Sequence, residues 1–196
     1  MNRSNSLSTS RKQLGARDKV TQGVYVLIFF LPRARRVVVG KLGTVAFARG
    51  FYAYVGSAMG PAGFKRVARH LEVSEGRLKT KKWHVDYFLA VAKVLATVEI
   101  TTQQTIECQV ARELLENPSL SCIMNFGSSD CKCRSHFFYS PRLNDIDDAI
   151  SKLINDRRSQ TSSVIVAETN WHGRARLSKA RLSSSTYNDV EPPDTV

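Results

Sequence analysis

The amino-acid sequence predicts an α+β domain in which a small antiparallel or mixed β-sheet is flanked by helices. Two observations lead to this class. Short β-rich segments, separated by Gly and Pro, fill the chain from residue 23 to about residue 56. Beyond that point, apolar residues recur at helical spacing. With 196 residues, the chain is long enough for one such domain and short for two.

Four strands are expected in the first part of this region. The first is rich in Tyr, Val, Ile and Phe and stops at Pro32, and the second contains three consecutive valines. The middle two are interpreted as a strand pair inserted between strands that would otherwise form a simple hairpin. The four strands are expected over 23–31, 35–40, 45–48 and 51–55.

The second part combines helices with two further strands. Phe64, Val67 and Leu71 lie at helical spacing and predict one apolar helical face. Thr105 precedes a later apolar run with the same period, so it is expected to cap that helix. The remaining predicted elements are a helix over 83–92, a strand over 94–100, a helix from 105 to about 116, an edge strand over 136–139 and a helix over 146–154.

The domain is expected to span 22–155, between a basic arm at 1–21 and a Ser- and Arg-rich tail at 156–196. Both end segments lack an apolar period and are expected to be disordered. No apolar run reaches the roughly 18–20 residues that a membrane span needs. Four cysteines in a chain of this length do not form a disulfide framework, and with no secretion signal a reducing, cytoplasmic setting is expected. A basic, Ser-rich leader can also imitate an organelle transit peptide.

The net charge of +12 is unevenly distributed along the chain. Residues 33–90 hold twelve Lys and Arg against three acids, a balance of +9, whereas residues 91–156 hold six against nine, a balance of −3. A basic block of this kind suits a polyanionic partner, because neutralising phosphates releases their condensed counterions. The charge therefore favours a nucleic acid as the partner over a basic surface kept for solubility.

Two tripeptides, one helix and a later acid carry the candidate chemistry. Gly23-Val24-Tyr25 and Tyr54-Val55-Gly56 lie on two predicted strands, where both tyrosines can face the same side, although each alone is more often a half-buried sheet residue. Arg66 and His70 are four residues apart and share one helical face. A guanidinium can bind a phosphate with two nitrogens, and an imidazole can donate to it or move a proton. Glu107 opens a later helix, where its carboxylate can hold a hard divalent cation.

This order of residues resembles that of the GIY-YIG nuclease superfamily: a GIY-like and a YIG-like tripeptide, an Arg followed four residues later by Tyr or His, and a Glu that opens a later helix. The segment 23–139 is similar to an uncharacterised archaeal and bacterial branch of that superfamily, in which some members are fused to an endonuclease-III-like glycosylase. The stretches that match this branch are 52–58, 66–71, 82–87, 107–108 and 126–136.

The resemblance implies a metal-dependent DNA endonuclease that hydrolyses phosphodiester bonds in DNA repair or processing. It implies one Mg²⁺ or Mn²⁺ held by Glu107, and a water that Tyr25 activates or orients with the help of Tyr54. Arg66 and His70 are expected to stabilise the pentavalent phosphorane. DNA and a base-excision glycosylase are the expected partners. The alternative is a non-catalytic DNA- or RNA-binding module on the same fold.

Basic residues near this set are expected to contact the DNA backbone. Lys81 and Lys82 precede Trp83, and this combination of charge and an aromatic ring suits a nucleic acid. Packing of Trp83 on the sheet is an equally good interpretation. The residues assigned to DNA binding are Lys65, Arg69, Lys81, Lys82 and His84.

Cys131, Cys133 and His136, with Cys108 at a distance, form a candidate Cys₃His zinc site. A single residue between two cysteines is fewer than ordinary structural zinc sites have, so this interpretation is the less favoured one. The alternative is that Cys108 packs in a helix core and that residues 130–136 form a polar turn. In that turn Asp130 could add a metal or water ligand.

Overall fold

A seven-stranded antiparallel sheet forms the centre of the computed structural model, which describes residues 21–158, 164–170 and 174–177. A separate two-stranded sheet and four α-helices complete the described residues, and none of these helices has the length and apolarity needed to span a membrane. The strands are β1 (Gly23–Leu31), β2 (Arg35–Val38), β3 (Thr44–Phe47), β4 (Gly50–Ser57), β5 (Lys93–Thr101), β6 (Ser121–Cys122), β7 (Phe137–Ser140), β8 (Val164–Asn170) and β9 (Arg174–Leu177). The helices are α1 (Lys65–Ser74), α2 (His84–Leu89), α3 (Glu107–Leu115) and α4 (Leu143–Arg158).

The strands of the large sheet follow the order β6-β7-β4-β1-β5-β8-β9. Every neighbouring pair in this order is antiparallel. β1 lies inside the sheet because its continuous apolar run is buried on both faces. The structure therefore confirms the predicted α+β class, and β1 has the bounds expected from the sequence.

The two faces of this sheet carry separate hydrophobic cores, because side chains alternate along each strand. Val24, Val26 and Ile28 point into one core, which α3 and α4 cover. Tyr25 and Tyr54 point into the other, which α1 and α2 cover. We call this second face the tyrosine face. The prediction that the two tyrosines share one side of the sheet is confirmed.

The predicted insertion between β1 and β4 is a hairpin in which β2 pairs with β3 in a sheet of its own. A 3₁₀ turn, Gly40–Leu42, joins the two strands, and Gly43 after it has a φ of 69°. Phe47 and Val39 are buried in the core of the tyrosine face, whereas Val38 is 64% exposed. The hairpin therefore packs one side against the tyrosine face and leaves the other side open.

The start of α3 differs from the sequence prediction. The helix begins at Glu107, its N-cap is Ile106, and no side chain caps it, so Thr105 is not the cap. The hydroxyl of Thr102 accepts the N–H of Gln104 at 3.0 Å instead.

The chain after α4 adds two strands to the sheet. β8 pairs with β5 and β9 pairs with β8, whereas the sequence predicts disorder over 156–196. Without β8, β5 would be an edge strand with unpaired backbone groups, and the β-branched sequence of 164–166 suits a strand at that edge. α4 also continues to Arg158, past the predicted domain limit at 155. The predicted basic arm, apart from residue 21, and the rest of the tail lie outside the described residues.

Candidate active site

Tyr25 is buried on β1, with 1% of the residue exposed. Its register partner on β4 is Gly56, where a Cβ atom would lie 2.3 Å from the Tyr25 ring. Gly56 therefore leaves the space that the ring occupies, which links the two tripeptides of the sequence pattern physically. The Tyr25 hydroxyl lies 2.9 Å from Nε2 of His70 on α1.

His70 connects Tyr25 to an acid that the sequence analysis left without a role. The imidazole is fully buried, and its Nδ1 lies 2.9 Å from Oδ1 of Asp86 on α2. An ionised carboxylate can only accept, so Nδ1 of His70 carries the proton and Nε2 accepts the hydroxyl hydrogen of Tyr25. The three side chains form a continuous hydrogen-bonded series, which we call the Tyr–His–Asp chain.

Asp86 is kept ionised by the donors around it. Its Oδ2 accepts the backbone N–H groups of Lys82, at 2.7 Å, and of Trp83, at 3.1 Å. Nη1 of Arg69 lies 3.2 and 3.0 Å from the two carboxylate oxygens. Burial acts to raise the pKa of Asp86, but the hydrogen bonds from His70 and from the two amides hold it at about 2. The carboxylate therefore fixes the tautomer of His70 at neutral pH.

Sequence reasoning missed Asp86 because its partners come from α1 and from the loop before α2. One signal was available. Asp86 is the third residue of α2, a position from which a carboxylate can accept the N–H groups at the start of its own helix. The Asp86 carboxylate also contacts Arg69 and His70 on α1. This second function depends on the packing of α1 against α2, which the sequence alone does not show.

Tyr54 lies next to Tyr25, with ring centroids 6.4 Å apart. Burial is the largest cause that raises the pKa of each tyrosine, so both phenols are neutral at neutral pH. The loop between β6 and β7 closes over Tyr54 at Gly127, where φ is +75° and a Cβ atom would lie 2.8 Å from the Tyr54 ring. A glycine is therefore required at this point of the loop.

Arg66 brings positive charge to the Tyr–His–Asp chain. Its charge acts to lower the pKa of Tyr25, against the larger effect of burial. Its guanidinium carbon lies 4.8 Å from the centroid of the Trp83 ring. The guanidinium carbon of Arg69 and Nζ of Lys82 lie 4.5 and 5.1 Å from the same centroid. Three cationic side chains thus contact the Trp83 ring, next to the Tyr–His–Asp chain.

Glu107 lies at the start of α3, within electrostatic reach of both tyrosines. α3 packs on the opposite core, and Glu107 is its first residue. Burial of each ring is the largest cause that raises the pKa of Tyr25 and of Tyr54, and the negative charge of Glu107 is a smaller cause in the same direction. Asp130, in the loop before β7, acts on the pKa of Tyr54 in the same direction. Asp86 acts likewise, so three carboxylates lie within electrostatic reach of Tyr54. Carboxylates are the side chains through which proteins bind Mg²⁺, so the residues present fit a hard divalent cation.

Two of the five residues predicted to bind DNA are engaged within the protein. Arg69 donates to Asp86, and Nδ1 of His84 accepts the N–H of Gly127 at 3.1 Å. Burial lowers the pKa of His84, in keeping with a neutral ring that accepts a hydrogen bond. Both side chains position neighbouring segments of the site. The exposed members of the set are Lys65, Lys81 and Lys82.

An open groove runs beside Trp83, between the turn of the β2–β3 hairpin and the loop that follows β6. Backbone and side chains that can donate to phosphate border it, together with the rings of Trp83 and Tyr87. This combination suits a nucleic-acid backbone better than an apolar ligand. Its lining includes Lys41, Lys82, Trp83, Asn125 and Ser129.

The four residues of the candidate zinc site come together next to Glu107. The ligand atoms of Cys108, Cys131, Cys133 and His136 all lie within 4.8 Å of one another. Burial raises the pKa of the Cys108 thiol to about 12, and the thiols of Cys133 and Cys131 act in the same direction. Cys108 is therefore part of this cluster and absent from the core of α3.

A family model described as "Domain of unknown function DUF123" matches residues 24–159 of the chain. The match includes all the residues of the Tyr–His–Asp chain, Glu107 and the four residues of the cysteine and histidine cluster. Neither a curated protein nor a solved structure matches the chain.

Proposed function

The chain belongs to the DUF123 family, and we propose that its domain is a GIY-YIG-type endonuclease that hydrolyses DNA phosphodiester bonds with one Mg²⁺ or Mn²⁺. The observation that carries this proposal is the Tyr–His–Asp chain, in which the Tyr25 hydroxyl has a prepared proton acceptor, Nε2 of His70, at 2.9 Å. The resemblance of the order of Tyr25, Tyr54, Arg66, His70 and Glu107 to the GIY-YIG pattern supports the same function.

Tyr25 and His70 move the proton of the attacking water. The Tyr25 oxygen accepts a proton from the water while the hydroxyl hydrogen passes to Nε2 of His70. Asp86 stabilises the imidazolium that forms, through its contact with Nδ1. Because burial raises the pKa of Tyr25, the phenol keeps its proton until His70 accepts it. This gives His70 the role of proton acceptor in place of the stabilisation of the phosphorane that the resemblance implies.

Arg66 and Glu107 act on the phosphate. The Arg66 guanidinium, which lies on Trp83, offers donors to the phosphate oxygens and stabilises their charge in the transition state. Glu107, together with Asp130, would hold the divalent cation. When bound, the cation neutralises charge on the phosphate and the leaving 3′ oxygen.

A pair of carboxamide substitutions tests this function. Glu107→Gln should abolish single-turnover cleavage of plasmid, nicked, flapped and branched DNA with Mg²⁺ or Mn²⁺, while DNA affinity stays the same or improves, because a negative charge near the phosphate is removed. Glu116→Gln is the matched control, since Glu116 lies at the exposed end of the same helix. Equal cleavage by Glu107→Gln and the wild type would remove Glu107 from the site.

A non-catalytic DNA- or RNA-binding module is the second candidate. Tyr25 and Tyr54 are 1% and 6% exposed, so a phosphate reaches their hydroxyls only after protein atoms move. A wild-type chain that binds nucleic acid but cuts no substrate with either metal would establish the module. Competition between duplex DNA and structured RNA at one salt concentration identifies its ligand.

The free cysteines support a compartment, and the resemblance supports a protein partner. We place the activity in the cytoplasm, in keeping with four free cysteines in the described residues. We also propose a base-excision glycosylase as a protein partner. Isothermal titration of the full chain with an endonuclease-III-like glycosylase tests this partner, and no heat beyond dilution in the presence or absence of abasic DNA would rule it out.

A further inference from the structure

Two segments distant along the chain supply the cysteine and histidine cluster. Cys108 is the second residue of α3, Cys131 and Cys133 lie in the loop between β6 and β7, and His136 directly precedes β7. The backbone bends at residues 131 and 132, and this bend allows two cysteines separated by one residue to reach the same point. The short spacing that weakens the zinc interpretation at the level of sequence is thus accommodated by the local backbone.

The distances within the cluster are close to those of a four-coordinate zinc site. Zinc–sulfur and zinc–nitrogen bonds of about 2.3 and 2.0 Å in a tetrahedron place the ligand atoms roughly 3.5–3.8 Å apart. Nε2 of His136 lies 3.5 Å from Sγ of Cys131 and 4.0 Å from Sγ of Cys108, and all four ligand atoms lie within 4.8 Å of one another. Shifts of less than about 1 Å would complete the tetrahedron.

Neighbouring groups support the binding of a cation. His136 is 1% exposed, and its Nδ1, which makes no hydrogen bond within the described residues, lies 3.3 Å from Oε1 of Glu107. Histidines that bind zinc through one ring nitrogen commonly present the other to a carboxylate, and this carboxylate orients the ring. Nε of Arg112 donates to the carbonyl of Cys108 at 3.3 Å, and its positive charge offsets part of the negative charge of three thiolates.

We propose that Cys108, Cys131, Cys133 and His136 bind one structural Zn²⁺. Protein ligands fill all four positions, so the ion has no open position for substrate and its role is structural. Three thiolates and an imidazole favour zinc and reject the hard Mg²⁺ and Mn²⁺. The ion is therefore distinct from the catalytic cation proposed above.

The zinc site has a specific mechanical role in this fold. It joins the start of α3 to the long β6–β7 loop and to the start of β7. The same loop carries Gly127, which covers Tyr54, and the same helix turn carries Glu107. Zinc therefore holds Glu107 and the cover of Tyr54 in one position relative to the sheet.

Metal analysis of the full chain tests the proposal directly. The tag-free protein, purified without chelators, should contain about one equivalent of zinc by elemental mass spectrometry. After chelation, titration with Co²⁺ should produce thiolate-to-cobalt charge-transfer absorption and the visible bands of a tetrahedral site, and added Zn²⁺ should abolish both. A wild-type chain without zinc whose Co²⁺ complex lacks the thiolate bands would overturn the proposal, and so would iron in place of zinc.

Substitutions locate the site among the four cysteines. Cys108→Ser, Cys131→Ser and Cys133→Ser should each lower the affinity for zinc at least tenfold, whereas Cys122→Ser, the matched control outside the cluster, should leave it unchanged. Loss of zinc in Cys122→Ser alone would overturn the assignment. The wild-type cobalt spectrum decides the question even if a variant fails to fold. None of these readouts depends on DNA cleavage, so the zinc site and the proposed endonuclease can fail separately.

Discussion

Asp86 determines the state of the proton relay at the scale of single residues. Its carboxylate holds the Nδ1 hydrogen of His70, and Nε2 is then free to accept from Tyr25. A carboxamide in its place can present an N–H to Nδ1, which would move the ring proton to Nε2 and turn the acceptor into a donor.

Asp86→Asn should therefore reduce the single-turnover cleavage rate by about 10²–10⁴-fold with little loss of DNA affinity. Rate and affinity are measured on the same DNA, alongside thermal unfolding. Asp145→Asn is the control, because Asp145 also accepts hydrogen bonds from an Arg and a Ser but lies on α4, away from the site. A rate within a few-fold of the wild type would show that Asp86 is only structural.

The free energy of unfolding at acid pH also depends on the ionisation of Asp86. The pKa of Asp86 is about 2 in the folded chain against 3.8 for a free side chain. Since the folded value is the lower one, the stabilisation is present above about pH 4 and is lost as the pH falls towards 2. It amounts to at most about 2 kcal/mol.

The difference in unfolding free energy between the wild type and Asp86→Asn, measured with urea, should therefore shrink from pH 5 to pH 2.5. Burial raises the pKa of Glu99, which has the opposite effect on acid stability, but this contribution is common to both proteins and cancels in the difference. A difference that does not change with pH would contradict the ionised state assigned to Asp86.

The pairing of β1 with β4 determines the geometry of the tyrosines at the scale of elements. Tyr25 lies opposite Gly56, and the β4 strand offers it no side chain at that position. α1 then covers the ring and places His70 on its hydroxyl. The order Gly-x-Tyr on one strand and Tyr-x-Gly on the other thus serves packing as well as chemistry.

Gly56→Ala should destabilise the domain by about 1–3 kcal/mol, because the new methyl group would meet the buried Tyr25 ring. The free energy of unfolding is measured by urea denaturation. Gly60→Ala is the matched control, since a Cβ atom there makes only an ordinary contact, at 3.6 Å from the Arg66 side chain. Equal stability of the two variants would mean that β4 moves freely away from β1.

At the scale of the whole molecule, part of the basic block at 33–90 gathers on the side of the sheet that α1 and α2 cover. Arg66 and Arg69 on α1 and Lys82 in the loop before α2 surround Trp83, beside the groove. The acids of 91–156 lie mostly on α3 and α4, which cover the other face of the sheet. We expect this separation of charge to orient the protein on DNA.

Affinity for duplex DNA should fall steeply with salt, because each lysine that neutralises a phosphate adds about 0.9 to the slope of log K against log salt. The double substitution Lys81→Ala and Lys82→Ala should therefore make this slope shallower, by about 0.9 for each phosphate that it leaves without a cation. Fluorescence anisotropy over a range of salt concentrations measures the slope. Lys152→Ala is the control, because this exposed lysine lies on α4. An unchanged slope in the double variant would place the DNA elsewhere.

The local pattern of the sequence determined the α+β class, the bounds of β1, the inserted hairpin and the shared face of Tyr25 and Tyr54. These features follow from periods of two and of 3.6 residues, which depend only on neighbouring residues. Three features needed the tertiary structure: the contact of Asp86 with His70, the cluster that joins Cys108 to the β6–β7 loop, and the pairing of β8 with β5. Each brings together segments distant along the chain, and such a contact depends on how elements pack, which no local period encodes.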